Sequence, residues 1–214
     1  MSDAERQRTI DALVESDSLE EQAAREAMAE SDEHYDAKEE TRATLRRFFS
    51  DSGRRGYVGA ERTVFYPGEK GFTPDIIAIL DVSPHKRTCW MVSQEGRGVD
   101  VIIEIFVQGD WRKDYVDNVR RYAELGVPEY FIFDVRRAAL TAYRRDPATG
   151  AYQPIQRRLG AYPSERLGLA LTVRRRRLRF LRDGALLRTP DELLDELGEA
   201  VEAEAERAED EARR

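Results

Sequence analysis

Three apolar runs decide the fold of this chain: DIIAIL at residues 75–80, VDVIIEIF at 99–106 and EYFIFD at 129–134. Each run has the length of a strand and is rich in β-branched or aromatic residues, which favour a buried strand. Residues 111–125, between the second and third runs, are typical of a polar helix, and Gly126 follows them as a C-terminal cap. This succession predicts two neighbouring strands joined by a crossover helix.

The flanking segments extend this unit into a mixed sheet. Upstream, residues 35–49 predict a helix with one apolar side, and residues 57–66 have strand character. Downstream, DPATG at 146–150 and Asp183-Gly184 are turn signals between short segments, which predicts antiparallel hairpins. We therefore predict an α/β (α+β) fold with a mixed β-sheet and flanking helices.

Helical extensions are predicted at both ends of the domain. Residues 1–33 predict an acidic helical N-terminal arm, residues 34–188 the domain itself, and residues 189–214 an acidic helical or coiled-coil tail. Thr189 has the character of an N-cap, with Pro190 at the first helical position. Through these arms we expect a homodimer or a larger assembly.

Composition narrows the class of protein. Residues 41–188 carry 28 basic and 17 acidic side chains, although the whole chain has a net charge of −7. The basic middle of the chain favours phosphate binding; the alternative is that its arginines solvate the sheet and pair with the acidic ends.

Cys89 is the one cysteine, so no internal disulfide can form, and we predict a cytoplasmic protein. No apolar run approaches the length of a membrane span, so we expect no membrane partner.

Two acidic residues are attached to otherwise apolar strands. Asp75 begins the first run, and Glu104 is the only charge inside the apolar part of the second. A buried carboxylate costs roughly several kcal/mol unless a positive group compensates it. A metal ion is one such group, and Mg²⁺ held against a phosphate by carboxylates supports phosphodiester hydrolysis, with the backbone carbonyl of Ile105 as a further ligand. The alternatives are that Asp75 caps a strand and that Glu104 pairs with a core arginine.

The segments PD at 74–75, IIEIF at 102–106 and YAELGVPEYFIFD at 122–134 resemble the Uma-two family of restriction endonucleases. The resemblance extends over residues 34–188 and implies a restriction-endonuclease-like fold, similar to that of PD-(D/E)xK nucleases. It also implies that Asp75 and Glu104 bind Mg²⁺ or Mn²⁺ and that the protein is an endonuclease that hydrolyses DNA.

One position departs from the nuclease pattern. The lysine expected two residues after the glutamate is Phe106 here. In the family that lysine commonly lies on the following helix, four residues after an aspartate; Asp114 matches the aspartate, and the lysine position is Asn118. Asn118 can hydrogen-bond a water but has no charge. Lys113 and Arg121 are the nearest cations, and an arginine is a phosphate clamp rather than a proton shuttle.

We therefore expect these catalytic residues, the first three from the resemblance and the last two as the nearest cations: Asp75, Glu104, Asn118, Lys113 and Arg121. The alternative function is a catalytically inactive nuclease fold that serves as a nucleic-acid-binding or protein-interaction module.

His34 and His85 are expected to be ordinary surface residues. Four aromatic residues are expected in the core rather than as base-stacking platforms: Trp90, Trp111, Tyr122 and Tyr130. Residues 174–177, four arginines, are expected in a strand that either touches phosphates or is a solvated edge.

Overall fold

A computed structural model describes residues 32–213 of the chain. Its helices are α1 (Asp32–Asp51), α2 (Val92–Glu95), α3 (Asn118–Glu124), which continues a π-helical turn (Lys113–Asp117), and α4 (Pro190–Ala212). Its strands are β1 (Gly56–Ala60), β2 (Val64–Phe65), β3 (Ile76–Leu80), β4 (Trp90–Met91), β5 (Val101–Phe106), β6 (Glu129–Asp134), β7 (Ala139–Arg145), β8 (Tyr152–Pro154), β9 (Tyr162–Ser164), β10 (Leu169–Arg174), β11 (Arg177–Arg182) and β12 (Ala185–Leu186).

The three apolar runs form the centre of a six-stranded sheet with the order β1-β3-β5-β6-β7-β8. β5 and β6 are parallel and are joined through the helical segment that ends with α3, whereas the other neighbouring pairs are antiparallel. A four-stranded antiparallel sheet, β12-β11-β10-β9, and the parallel pair β2-β4 complete the fold. The predicted mixed α+β fold and its single central crossover are confirmed.

Side chains of the central strands alternate between two apolar cores. On β5, Val101, Ile103 and Ile105 pack with α1 and the four-stranded sheet. Ile102 faces the other side, where Tyr122 of α3 lies. Because strand side chains repeat every two residues, Glu104 points to the same side as Ile102, towards α3.

Three local expectations were wrong. Residues 57–66 do not form one strand, because Glu61 has a left-handed backbone (φ 48°) that separates β1 from β2. Residues 174–177 are not all in a strand: Arg175 and Arg176 form the tight turn between β10 and β11. Trp111 is not a core residue, since 54% of its surface is exposed.

The predicted C-terminal helix begins at its predicted cap. The Thr189 side chain accepts a hydrogen bond from the amide of Glu192, whose side chain accepts one from the Thr189 amide in return. Glu192 also binds Arg179 on β11, at 2.7 Å, which fixes the start of α4 against the four-stranded sheet. The N-terminal arm predicted for residues 1–33 lies almost entirely outside the described residues. Between residues 32 and 213, no helix is long and apolar enough to cross a membrane.

Candidate active site

Asp75 and Glu104 are joined by hydrogen bonds between their two chain segments. The amide of Asp75 donates to Glu104 Oε2 at 3.0 Å. The amide of Ile105 donates to Asp75 Oδ2 at 2.7 Å. A strand residue directs its N–H and its C=O to the same edge, so the Ile105 carbonyl also faces the Asp75 side. The three predicted metal-binding groups therefore converge at one edge of β5.

Glu104 is buried, with 4% of its surface exposed, and its side chain accepts from α3. Tyr122 donates its hydroxyl to Glu104 Oε1 at 2.7 Å, and the Asn118 amide donates to the same oxygen at 3.4 Å. Burial raises the pKa of Glu104 well above its ordinary value, and the negative charges of Asp75 and Asp114 add to the rise. A buried carboxyl beside two other acids is an environment in which a cation stabilises the ionised form.

Asp75 is held by α1 as well as by β5. His34 places Nε2 at 3.2 Å from Asp75 Oδ2. Burial alone would raise the pKa of Asp75, but the His34 ring and the Ile105 amide outweigh it, and the pKa is lowered. Asp75 is therefore the member of the acid pair that stays ionised most readily.

The π-helical turn adds a third acid and a cation. Asp114 accepts from the Asn118 side chain at 3.0 Å, and burial raises the pKa of Asp114 to about 6. Lys113 is exposed, and its charge opposes the rise in the pKa of both Asp114 and Glu104. π-Helical turns inside helices frequently occur at functional sites. Here the turn carries Lys113 and Asp114, and Asn118, the first residue of α3, joins Asp114 to Glu104.

Arg121 is directed elsewhere. Its guanidinium donates to the carbonyl of Lys70 and lies 4.7 Å from the centre of the Phe72 ring. In the part of the chain that the structure describes, no hydrogen bond or ion pair joins Arg121 to the carboxylates. Of the five side chains predicted from the sequence, those of Asp75, Glu104 and Asn118 belong to one hydrogen-bonded group. Lys113 affects the pKa of Glu104 and Asp114 through its charge, and Arg121 instead supports the loop before β3.

Sequence reasoning missed His34 and the role of Tyr122. His34 lies one turn before Lys38 on α1, and Lys38, Thr41, Leu45 and Phe48 follow at helical spacing as buried residues. Extending that spacing upstream would have placed His34 on the buried side of the helix. Tyr122 is in the core as predicted, but its hydroxyl needs a buried acceptor and finds Glu104.

The donor set fits a small, hard cation with open coordination positions. Among residues 32–213, no three or more His, Cys, Asp and Glu side chains form a group that could hold a metal. Two carboxylates and one carbonyl are a smaller set, and they leave coordination positions for water and phosphate, as Mg²⁺ sites with few protein ligands usually do. All three donors are oxygens, which suits Mg²⁺ or Mn²⁺ and disfavours zinc.

Two comparisons with known proteins found similar proteins. A crystal structure of a putative nuclease belonging to DUF820 from Anabaena variabilis ATCC 29413 is similar at 13% identity and a TM-score of 0.49, over 64% of this chain and 74% of that one. No curated protein matches. The family model Uma2, described as putative restriction endonuclease, matches residues 22–176. The chain therefore belongs to the Uma2 family, as the resemblance of its sequence predicted.

Proposed function

We propose that this protein is a divalent-metal-dependent endonuclease that hydrolyses phosphodiester bonds in DNA at the Asp75–Glu104 pair. The observation that supports this most is the convergence of both carboxylates at the end of β5. Membership of the Uma2 family, which is described as putative restriction endonuclease, supports this reaction class. A bound Mg²⁺ or Mn²⁺ would polarise the scissile phosphate and lower the pKa of a coordinated water.

Different residues of the chain would have different roles at such a site. Asp75, Glu104 and the Ile105 carbonyl would be the metal ligands. Tyr122 and His34 orient the two carboxylates through the hydrogen bond to Glu104 and the contact with Asp75. Lys113 would offset negative charge on the phosphate, since its ammonium is the cation whose charge reaches both Glu104 and Asp114.

Nicking of supercoiled plasmid in Mg²⁺ or Mn²⁺ tests this proposal. We expect the wild type to nick the plasmid, EDTA to stop the reaction, and Glu104→Gln to abolish it. Glu199→Gln is the matched control because Glu199 is an exposed acid on α4. Equal nicking by Glu104→Gln would show that a contaminant is responsible and would reject the proposal.

A second candidate is a catalytically inactive nuclease fold that binds nucleic acid. Asn118 favours it, because the uncharged amide occupies the lysine position and is already bonded to Asp114 and Glu104. In that case the wild type would bind duplex DNA with the usual salt dependence but would not cleave it in any divalent metal. DNA cleavage that Glu104→Gln abolishes would exclude this candidate.

We also propose that the chain self-associates through its helical extensions. On α4, Leu194, Leu197 and Val201 are each about three-fifths exposed and follow the 3–4 spacing of a coiled-coil seam. Exposed apolar residues at this spacing lose their contact with water when a second helix covers them. Light scattering should report a dimer or larger species, and Leu197→Glu should reduce it; a wild-type monomer would reject self-association.

A further inference from the structure

Two arginine-rich turns meet on one side of the fold. The turn between β6 and β7 contains Arg136 and Arg137, and the turn between β10 and β11 is formed within the run 174–177. Arg176 joins them, because its guanidinium donates to the carbonyls of Val135 and Arg136 at 3.2 and 3.0 Å. We call these six arginines, Arg136, Arg137 and Arg174–Arg177, the arginine ridge.

The ridge and the acid pair lie at the same end of the central strands β5 and β6. β5 and β6 are parallel, and Phe106 at the end of β5 is paired with Asp134 at the end of β6. Glu104 is two residues before that end, and the β6–β7 turn begins directly after it. Arg136 also bonds Gln108 at 2.9 Å, in the loop that connects β5 to the π-helical turn. The ridge is therefore connected by hydrogen bonds to the loop between Glu104 and Asp114.

All six arginines of the ridge are exposed. Among residues 32–213, acidic partners reach two of them: Asp134 is 3.7 Å from Arg137 and Glu40 is 3.6 Å from Arg177. Arg174, Arg175, Arg176 and Arg136 have no ion pair within the described part of the chain. A row of guanidinium groups without counter-charges is the usual footprint of a phosphate-binding surface.

The backbone of the β10–β11 turn does not explain its arginines. Arg175 and Arg176 have φ angles of 49° and 62°, a left-handed conformation that asparagine or glycine adopts more easily in such a turn. The turn would therefore form better with other residues, and the choice of arginine has to be explained by the side chains. Strained positions of this kind are concentrated at binding sites.

A cleft of about 270 Å³ separates the ridge from α1. Glu33, Asp36 and Glu40 line its α1 wall, opposite Arg175–Arg177. These acids would repel a phosphate inside the cleft. The surface that can receive a polyanion is therefore the exposed side of the ridge away from α1. It includes Arg137 and Arg174, which do not line the cleft, and the exposed part of Arg175, which borders it.

We propose that the arginine ridge binds the sugar-phosphate backbone of duplex DNA beside the acid pair. Guanidinium groups form paired hydrogen bonds with phosphate oxygens, and such contacts position a duplex without reading its sequence. The ridge would hold the duplex so that a phosphodiester bond lies at the Asp75–Glu104 edge. This inference rests on the proposed DNA nuclease function and adds the surface through which the substrate is bound.

Binding of a fluorescently labelled duplex, measured by anisotropy in EDTA over a range of salt concentrations, tests the ridge apart from catalysis. We expect Arg174→Gln/Arg175→Gln to reduce the slope of log K against log salt by about 1.8, since each phosphate contact contributes about 0.9. Affinity at physiological salt should fall roughly tenfold. Arg174→Lys/Arg175→Lys keeps both charges and should keep the wild-type slope.

The matched control is Arg46→Gln/Arg55→Gln. Both side chains are exposed and lie at the end of the fold away from the acid pair. Arg46 is on α1, which runs away from His34. Arg55 precedes β1, whose first residue pairs with Leu80 at the end of β3 that is far from Asp75. The control should bind like the wild type, and circular dichroism should show that all variants are folded. If the ridge substitutions leave DNA binding unchanged, or if the control substitutions lower it equally, the proposed role of the ridge is rejected but the proposed nuclease function is not. A wild type that binds no duplex overturns both.

Discussion

Asp75 and Glu104 hold each other in place through the backbone: the Asp75 amide donates to Glu104 Oε2 at 3.0 Å, and the residue after Glu104 donates its amide to Asp75. The side chain of each acid is thus fixed by the segment that bears the other. Neither carboxylate can turn away without losing a partly buried hydrogen bond. This arrangement is pre-organised, so a bound cation would not have to order the two ligands.

Tyr122 should contribute to stability through Glu104. Tyr122→Phe removes the hydroxyl that donates to the buried Glu104 carboxylate, and we expect a loss of about 1–3 kcal/mol in the free energy of unfolding. Urea denaturation in EDTA measures it. Tyr143→Phe is the control because the Tyr143 hydroxyl has no hydrogen bond among the described residues; similar losses in both variants would contradict the role of the Glu104 contact.

Asn118 is the position at which a gain of activity is expected. Asn118→Lys places an ammonium between Asp114 and Glu104, where the present amide already bonds both side chains. A cation there can stabilise the charge that develops on the phosphate, and we expect plasmid nicking to accelerate at least about tenfold. A folded variant with unchanged nicking would show that the missing lysine does not limit the reaction.

His34 should determine how far the pH can fall before nicking activity is lost. The His34 ring lowers the pKa of Asp75, so it keeps Asp75 ionised to lower pH. In His34→Ala the pKa of Asp75 should rise, and because a metal ligand must be deprotonated, the acidic limb of the nicking profile should move to higher pH. His85→Ala should leave the profile unchanged, because His85 is exposed and lies in the loop after β3, at the end of that strand opposite to Asp75. Superimposable profiles for wild type and His34→Ala would contradict this role.

The contacts of Glu192 at the start of α4 should make a contribution to stability that depends on pH. Burial alone would raise the pKa of Glu192, but the Thr189 amide and the Arg179 guanidinium outweigh it and the pKa is lowered. A lowered pKa stabilises the fold above the unfolded-state pKa, and this contribution is lost as the pH falls through the folded-state pKa.

Glu192→Gln should therefore destabilise the protein by up to about 1 kcal/mol at neutral pH. The loss comes from the ion pair with Arg179, since a glutamine can still accept from the Thr189 amide. Denaturation at several pH values should show the difference shrinking in acid. Glu199→Gln, further along α4, should be neutral at every pH. A constant difference between Glu192→Gln and the wild type would mean that ionisation of Glu192 is not involved.

The periodicity of β5 explains why part of the site could be predicted from the sequence. Glu104 interrupts an apolar run, and such a charge in a strand that is buried on both faces points to a special role. Asp114 and Asn118 are four residues apart, a spacing that places them on one side of a helix. These signals are local, and they identified three side chains that are joined by hydrogen bonds in the structure.

The missed contacts depend on how distant segments pack. His34 precedes Asp75 by more than forty residues, and only the direction of α1 across the sheet brings them together. Arg121 has the helical spacing of a site residue, but the Lys70 carbonyl and the Phe72 ring attract its guanidinium to a neighbouring loop. The turn at Arg175 and Arg176 was hidden because arginine is not a turn signal.

Calorimetric titration of the metal-free protein with Mn²⁺ tests the proposed metal centre most directly. We expect about one Mn²⁺ per chain to bind to the wild type and to Glu199→Gln, and Glu104→Gln to lose that binding. Wild-type protein that takes up no Mn²⁺, or a Glu104→Gln variant that binds it as tightly as the wild type, would contradict the assignment of Asp75 and Glu104 as its ligands.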